Sequence, residues 1–219
     1  MPNLHRSPCI IAIAGPSGAG KTTLVQRIVT VLGDAVPLFS DWYAALATRP
    51  EAVDVVQWLR DGADPAVWQN PELVAAVAAL RAGLSVTLPD GRGIVTPAQF
   101  IVLEEPWGRA RPGMHDLIDM AVVIEMPFDI VLARKVVRDI DIASAGYDGK
   151  SGAEAAVAYV KMFLDLYVRF GRDFYVQQQR AALHDCDLIV DGMGSTDELA
   201  NQIAATVRTK HVGGTASGS

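Results

Sequence analysis

The sequence has few cysteines, no long apolar run and no excess of positive charge. Only two of its 219 residues are cysteines, Cys9 and Cys186, and they lie far apart inside apolar stretches. This excludes a disulfide framework and suits a reducing compartment. No apolar run approaches the roughly 18 residues that a membrane-spanning helix needs. The first seven residues lack the apolar segment of a signal peptide, so the cytoplasm is the expected location.

Charge and composition exclude further classes of partner. The formal net charge is −6, so attraction to nucleic acid or to an anionic membrane is not expected. Half of the residues are hydrophobic and a fifth are charged, which is the usual balance of a globular domain. A chain of this length forms about one domain and buries enough surface to fold without disulfide or metal cross-links.

Short apolar runs alternate with helical patterns along the chain. Residues 8–14 form a continuous apolar run between a proline and a glycine, which is typical of a strand buried on both faces. Further strands are predicted at 36–39, 100–103, 121–125 and 188–190. Helices are predicted at 21–32, 71–82, 127–140, 153–183 and 196–207. This alternation predicts an α/β fold, with a mostly parallel five-stranded sheet covered by helices on both faces.

Irregular segments complete the predicted organisation. Residues 62–71 and 89–97 are rich in Gly, Pro and Asp and are interpreted as loops over the site. Residues 141–152 follow a basic helix end and are interpreted as mobile, within a lid at about 139–152. We expect a flexible N-terminus at 1–7, one domain at 8–208 and a disordered tail at 209–219.

A glycine-rich motif, Gly-Pro-Ser-Gly-Ala-Gly-Lys-Thr, lies at residues 15–22 between the first predicted strand and helix. It matches G-x-x-x-x-G-K-[ST], a loop whose backbone amides surround the phosphates of a nucleoside triphosphate. Lys21 is expected to bridge phosphate oxygens, and Thr22 to place its hydroxyl on Mg²⁺. A glycine turn that binds nothing is disfavoured because Lys and Thr are in register. The expected nucleotide contacts are Gly15, Ser17, Gly18, Ala19, Gly20, Lys21, Thr22 and Thr23.

Acidic and basic side chains are predicted close to this loop. Asp41 follows the second strand, where a carboxylate can deprotonate an attacking hydroxyl or cap the next helix. Glu104 ends the third strand and suits a Mg²⁺ site, or it caps the turn before Pro106. Arg134 and Arg138 share one helix face. They stabilise a transferred phosphoryl group if they face the triphosphate, and form an ordinary basic helix end if they face water.

Taken together, these segments resemble the uridine kinase-like P-loop kinases, a family that includes phosphoribulokinase, pantothenate kinase and nicotinamide riboside kinase. The resemblance rests on the phosphate loop, on Ser40-Asp-Trp-Tyr43, on residues 64–83 and 97–104, and on Arg-Lys-x-x-Arg-Asp-Ile at 134–140. It covers most of the chain from about residue 8 to 208, and more weakly at 159–192. It implies a three-layer P-loop NTPase fold of the nucleoside-kinase type with a small helical lid.

The same resemblance implies an activity and roles for single residues. It implies an ATP-dependent kinase that uses Mg²⁺ and transfers the γ-phosphoryl group to a hydroxyl of a nucleoside, sugar or vitamin-like metabolite. Asp41 matches the catalytic base, Glu104 the carboxylate near Mg²⁺, and Arg134 and Arg138 lid residues that face the phosphates. Asp64 matches an aspartate that holds ribose hydroxyls, although an Asp before proline is also common in loops. The implied catalytic set is Asp41, Lys21, Arg134 and Arg138.

The acceptor side departs from the family. Uridine kinases have a longer hairpin between residues 88 and 97, with aromatic and histidine contacts to the base, so the sequence does not predict uridine or cytidine as acceptor. Arg109 and Arg111 are placed to pair with an anionic acceptor, or lie in a solvated loop. Aromatic residues such as Tyr43 stack on an acceptor or serve packing. The expected acceptor contacts are Asp41, Tyr43, Asp64 and Arg109.

Two other functional classes stay open. A nucleotide-dependent NTPase or switch would act on a protein partner, and it would release phosphate without any metabolite. A catalytically dead nucleotide-binding module is disfavoured by the intact Lys21, Thr22 and Asp41. The expected partner is therefore a small-molecule hydroxyl acceptor, with no nucleic acid and no membrane. Related kinases occur as monomers, dimers and larger assemblies, so a homodimer is compatible with the resemblance.

Overall fold

A computed structural model describes residues 7–48, 50–51, 54–145 and 150–213, apart from the side chains of 143–145, 150–151 and 211–213. Its strands are β1 Cys9–Ala14, β2 Ala35–Phe39, β3 Val86–Thr87, β4 Ile94–Val95, β5 Phe100–Glu104, β6 Met120–Glu125 and β7 Leu188–Asp191. Its helices are α1 Lys21–Leu32, α2 Val55–Arg60, α3 Pro71–Arg81, α4 Phe128–Ala145, α5 Lys150–Leu166, α6 Arg172–His184 and α7 Thr196–Gly213.

The main sheet has five strands in the order β2-β5-β1-β6-β7. Every neighbouring pair is parallel, so all carboxyl ends meet at one edge. In the central strand β1, Ile10 pairs with Ile101 of β5, and Ala12 pairs with Ala121 of β6. A ligand site is expected beyond the carboxyl end of β1, because the chain crosses to opposite sides of the sheet there.

Helices cover both faces of this sheet, because alternate residues of each strand point to opposite sides. Ile11 and Ile13 of β1 pack into a core with residues of α1 and α7. Ile10 and Ala12 pack into a second core with residues of α3. The helix α6 lies on another part of the sheet, where Ala182 contacts Ala14 and Val123. The three-layer fold with a parallel five-stranded sheet is confirmed.

All five predicted strands are present, whereas three predicted boundaries were wrong. The helix expected over 153–183 is divided into α5 and α6 by a π-helical segment, Tyr167–Gly171. Much of the segment expected to be irregular at 141–152 is helical, because α4 extends to Ala145 and α5 begins at Lys150; residues 146–149 lie outside the described residues. Residues 209–213, expected in a disordered tail, belong to α7, which continues to Gly213; residues 1–6 and 214–219 also lie outside the described residues.

The helix α2 and the antiparallel hairpin β3–β4 were not predicted. Six residues are too few for a helix to be stable alone, so α2 depends on tertiary contacts. Its Trp58 is buried against the rings of Trp68, Trp107 and Phe174. Within the described residues, no helix combines the length and hydropathy required to cross a membrane.

Candidate active site

The phosphate loop connects the carboxyl end of β1 to the first residue of α1. Gly18 has a φ of +103°, and a Cβ there would lie 2.6 Å from the carbonyl oxygen of Val131 in α4. Glycine is therefore required at this position for two reasons, the positive φ of the backbone and the close approach of α4. The loop is held directly against the helix that carries the predicted lid arginines.

Lys21 is folded back into this loop. Its side chain is only 6 % exposed, and its Nζ donates a hydrogen bond to the carbonyl oxygen of Pro16 at 3.1 Å. The Nζ also lies 3.6 Å from Oε1 of Glu104. Burial lowers the pKa of Lys21, while the carboxylates of Glu104 and Asp41 oppose this shift. The ammonium group thus lies within the electrostatic reach of both predicted acidic residues.

Thr22 and Glu104 meet although they are 82 positions apart in the sequence. The hydroxyl of Thr22 donates to Oε2 of Glu104 at 2.8 Å. The sheet produces this contact, since Ile13 of β1 is in register with Glu104 of β5. A hydroxyl and a carboxylate are oxygen ligands that suit Mg²⁺, which usually keeps its other positions for phosphates and water. No group of three or more metal-ligating side chains occurs among the residues described, so this pair is the candidate metal position.

Asp41 lies in a 3-10 helix, Ser40–Leu46, that begins directly after β2. Phe39, two residues before it, is in register with Glu104 on the neighbouring strand. No side-chain hydrogen bond caps the start of this 3-10 helix, so the capping role considered for Asp41 is not seen. Asp41 is exposed, and its charge acts on Lys21. The acid is therefore accessible and lies within electrostatic reach of Lys21.

The two predicted lid arginines differ in their contacts with the phosphate loop. Arg138 donates from Nη2 to the hydroxyl of Ser17 at 3.1 Å, so it reaches the phosphate loop directly. Its charge also lowers the pKa of Lys21. Arg134 instead donates to Sδ of Met126 at 3.5 Å and lines a cleft beside the loop. The described side chains therefore place one arginine on the loop and one beside it.

Comparison with known proteins agrees with this geometry. Over 217 residues the chain is 24 % identical to uridine kinase-like protein 5 of Arabidopsis thaliana, covering 94 % of this chain and 43 % of that protein. It is 24 % identical to the uridine kinase of Borrelia duttonii, covering 91 % and 94 % of the two chains. A solved structure described as a possible uridine kinase, from Bacillus stearothermophilus, superposes with a TM-score of 0.50 at 15 % identity, covering 85 % and 90 % of the two chains.

The chain is uridine kinase-like in sequence and in fold. No family model matches it. It spans less than half the length of the Arabidopsis protein.

A cleft of about 310 Å³ lies beside the phosphate loop of this uridine kinase-like chain. It is bordered by the start of α1, by Arg134 and by the turn between β7 and α7. The residues of that turn, Gly192, Gly194 and Thr196, were not predicted as part of the site. The sequence does hold a signal for them, because a glycine-containing turn follows the last predicted strand. Thr23, predicted as a phosphate contact, lines this cleft.

The predicted acceptor contact Arg109 lies away from the phosphate loop. Its guanidinium donates to the carbonyl oxygens of Ile118 and Asp119, which precede β6. It also pairs with Asp185 and Asp187, which precede β7. These groups lie at the amino ends of the strands, opposite the phosphate loop. The geometry therefore contradicts an acceptor-binding role for Arg109, because its donors hold two strand entrances together.

Arg111 is also committed to an internal partner. Its Nε donates to Oε2 of Glu105 at 2.6 Å, and its Nη1 donates to the carbonyl oxygen of Trp68 at 2.8 Å. Glu105 is completely buried. The neighbouring carboxylates Glu104 and Glu105 therefore point to opposite sides, as alternation along a strand requires. Arg111 is therefore not available to bind an anionic acceptor while this ion pair is intact.

Tyr43 and Asp64 were predicted to contact the acceptor, and both have structural contacts. The ring of Tyr43 is buried in the core formed with α3, and burial raises its pKa. Its hydroxyl has no hydrogen-bond partner among the residues that the structure describes. Asp64 is exposed and caps a short 3-10 turn by accepting from the backbone amide of Ala66 at 2.9 Å. The turn role considered for Asp64 is thus present, and the ribose role stays a prediction.

Proposed function

We propose that this chain is an ATP-dependent kinase that transfers the γ-phosphoryl group to a hydroxyl of a small metabolite. The observation that carries the proposal is the convergence of four side chains from three separate segments: Lys21, Thr22, Asp41 and Glu104. A triphosphate-binding loop, a metal position and an accessible acid next to them are the parts that phosphoryl transfer requires. Similarity to uridine kinases supports the same chemistry.

On the donor side, the loop amides and Lys21 would hold the phosphates of ATP. The nucleoside part would lie in the cleft next to Thr23 and Arg134, where the planar guanidinium can stack on a base. Thr22 and Glu104 would hold Mg²⁺. When bound, this ion would neutralise charge on the β- and γ-phosphate oxygens.

On the acceptor side, Asp41 would orient the hydroxyl and take its proton. The acceptor oxygen then forms a bond to the γ-phosphorus, the bond between that phosphorus and the bridging oxygen breaks, and ADP leaves. Arg138 lies on the phosphate loop and would stabilise charge on the transferred group. The predicted lid, at about 139–152, would exclude water, which otherwise competes as acceptor.

An ADP-release assay over a panel of hydroxyl-bearing metabolites tests the proposal. We expect little ADP from Mg·ATP alone and rapid release with one class of acceptor. With that acceptor, Asp41→Asn should lower kcat about 10³-fold, since the base is lost, and should leave the KM for ATP nearly unchanged. Asp116→Asn is the matched control, because Asp116 is 96 % exposed and lies before β6, at the edge of the sheet opposite the phosphate loop.

Three results would contradict the proposal. Phosphate release at full rate without any metabolite would indicate an NTPase or switch. Binding of Mg·ATP with no turnover over the whole panel would indicate a nucleotide-binding module without catalysis. Near wild-type turnover by Asp41→Asn would remove Asp41 from the mechanism.

A further inference from the structure

A groove of about 680 Å³ runs along the second half of α6. Residues 62–65, which follow α2, form another of its walls, and Arg109 and Asp185 close one end. Because these two residues lie at the amino ends of the strands, the groove is separate from the phosphate loop. Its volume falls within the range of sites that hold small molecules.

The cationic side chains that line this groove differ in whether they have a partner. Arg109 is held by Asp185 and Asp187 at 3.2 and 2.7 Å. Nε2 of His115 lies 3.3 Å from the second carboxylate oxygen of Asp185, the acid that lines the groove. Arg180 is exposed and makes no hydrogen bond or ion pair within the described part of the chain. Since the acid of the groove is already engaged, the Arg180 guanidinium is left for an external anion.

A second polar group lies next to this guanidinium. His184 follows Arg180 by four residues, so the two side chains share one face of α6. His184 is exposed and also has no partner among the residues that the structure describes. Its ring offers an N–H donor in either protonation state, and a guanidinium offers two parallel donors that fit a carboxylate or a phosphate. Together they can bind one anionic group.

The remaining walls are apolar and held in place by internal contacts. Ala63 has a φ of +57°, which residues with a Cβ rarely adopt, and its amide donates to the carbonyl oxygen of Trp58 at 2.9 Å. The indole of Trp58 donates to the carbonyl oxygen of Asp64 at 2.8 Å. On the α6 side, Ala181 packs against the buried cluster that contains Trp58. The groove is therefore preformed, which lowers the entropic cost of binding.

We propose that this groove is a second binding site, for a small molecule that combines one carboxylate or phosphate group with an apolar body. Arg180 and His184 bind the anionic group, and the apolar body lies against Ala63, Pro65 and Ala181. The inference goes beyond the proposed kinase function and does not depend on it, because the groove shares no residue with the phosphate loop.

An NMR titration with benzoate as probe tests this assignment, read from the backbone amide shifts of the whole chain. Mg·ADP is present throughout, so that an anion cannot bind at a free phosphate loop. Benzoate should cause saturable shifts at the amides of Ala63 and Ala181, with a Kd of about 1–10 mM for a probe of this size. Phenyl phosphate is titrated in parallel. The tighter of the two probes identifies the anionic group, carboxylate or phosphate, that the groove prefers.

Variants and a neutral probe test whether the charge is recognised. Arg180→Met should weaken binding of the preferred probe about tenfold or more, because the unpaired guanidinium is lost. It should leave Tm unchanged, since Arg180 has no internal partner. Arg172→Met is the matched control, because Arg172 is an exposed arginine at the other end of α6, outside the groove. Benzyl alcohol, which keeps the ring and lacks the charge, should bind about tenfold more weakly than benzoate.

Four results would overturn the proposal. Neither anion causes saturable shifts at the groove, or the shifts are confined to the phosphate loop. Benzyl alcohol binds as tightly as benzoate, which would make the groove a non-specific apolar surface. Arg180→Met binds the preferred probe with wild-type affinity. Arg172→Met weakens binding as much as Arg180→Met, which would show only a general effect of net charge.

Discussion

The donor and acceptor sides of the site use their cations in opposite ways. On the donor side, Lys21 and Arg138 reach the phosphate loop through its carbonyl oxygen and serine hydroxyl. Both cations can exchange these neutral partners for phosphate oxygens. Of the two arginines predicted for the acceptor side, Arg111 is held by a buried carboxylate next to the site, and Arg109 is held by carboxylates at the opposite edge of the sheet. The donor-side cations also have carboxylate neighbours, but at 3.6 Å, whereas Arg109 and Arg111 are held by carboxylates at 2.7 and 2.6 Å. Positive charge near a predicted site therefore indicates an anionic ligand only where no internal carboxylate holds the cation in a close ion pair.

The largest effect is expected when the ion pair between Arg111 and Glu105 is broken. Arg111→Met leaves the fully buried Glu105 without its cation, and should lower the free energy of unfolding by about 3–5 kcal/mol. Urea denaturation measures the change. Adding Glu105→Gln to this variant should recover much of the loss, since the buried charge is removed. Arg169→Met, which breaks an exposed pair with Asp165, should cost at most about 0.5 kcal/mol.

The comparison would fail if Arg111→Met were as stable as the wild type and lost only acceptor binding. That result would make Arg111 a ligand-binding cation, as an anionic acceptor requires.

The next effect concerns the donor side. Lys21→Met should lower kcat for acceptor phosphorylation by roughly 10²–10³-fold, because the variant loses one of the positive charges that stabilise the negative charge of the transferred phosphoryl group. The ADP-release assay measures it. Lys161→Met is the control, since Lys161 is exposed on α5. Activity retained in the Lys21 variant would mean that Arg138 alone holds the phosphates.

A smaller effect tests how closely α4 packs on the phosphate loop. Gly18→Ala and Gly62→Ala both place alanine at a φ near +100°, but only at position 18 would the new Cβ meet another segment, at 2.6 Å. Gly18→Ala should therefore be less stable than Gly62→Ala by about 1–3 kcal/mol. It should also bind ATP more weakly, measured by calorimetry. Equal losses in the two variants would show that α4 moves freely from the loop.

The smallest expected effect is a pH dependence of the free energy of unfolding that arises from Tyr175 of α6. Burial raises the pKa of Tyr175 from 10.0 to about 12. The unfolded chain therefore releases this proton first, and stability falls as pH rises from 10 to 12, by at most about 1.4 kcal/mol per pH unit. Tyr175→Phe should flatten that part of the curve, measured by urea denaturation at each pH. An identical slope in the variant would mean that Tyr175 is open to solvent.

The donor side could be predicted from the sequence because its determinants are local. Residues 15–22 are contiguous, and the strand before them and the helix after them have clear hydrophobic patterns. The position of Glu104 could be predicted for a related reason, because it ends a short apolar run that is typical of a buried strand. Parallel pairing then places every strand's carboxyl end at one edge.

The internal contacts of the residues predicted for the acceptor side could not be read from the sequence, because these contacts join distant segments. Arg109 lies only four residues after Glu105, yet its partners Asp185 and Asp187 are more than 70 positions away. Asp64 resembled a ligand-binding acid, but the local turn beginning at Pro65 uses its carboxylate.

The sequence by itself determined the phosphate loop, the strand order along the chain and the three-layer class of fold, since each follows from neighbouring residues and their hydrophobic period. Only the tertiary structure decided which charges are neutralised internally and which polar groups are buried without partners. Those outcomes depend on long-range packing, in which a side chain takes whichever partner the fold brings within hydrogen-bond distance. The same packing that closes the core therefore decides which polar groups are left without an internal partner.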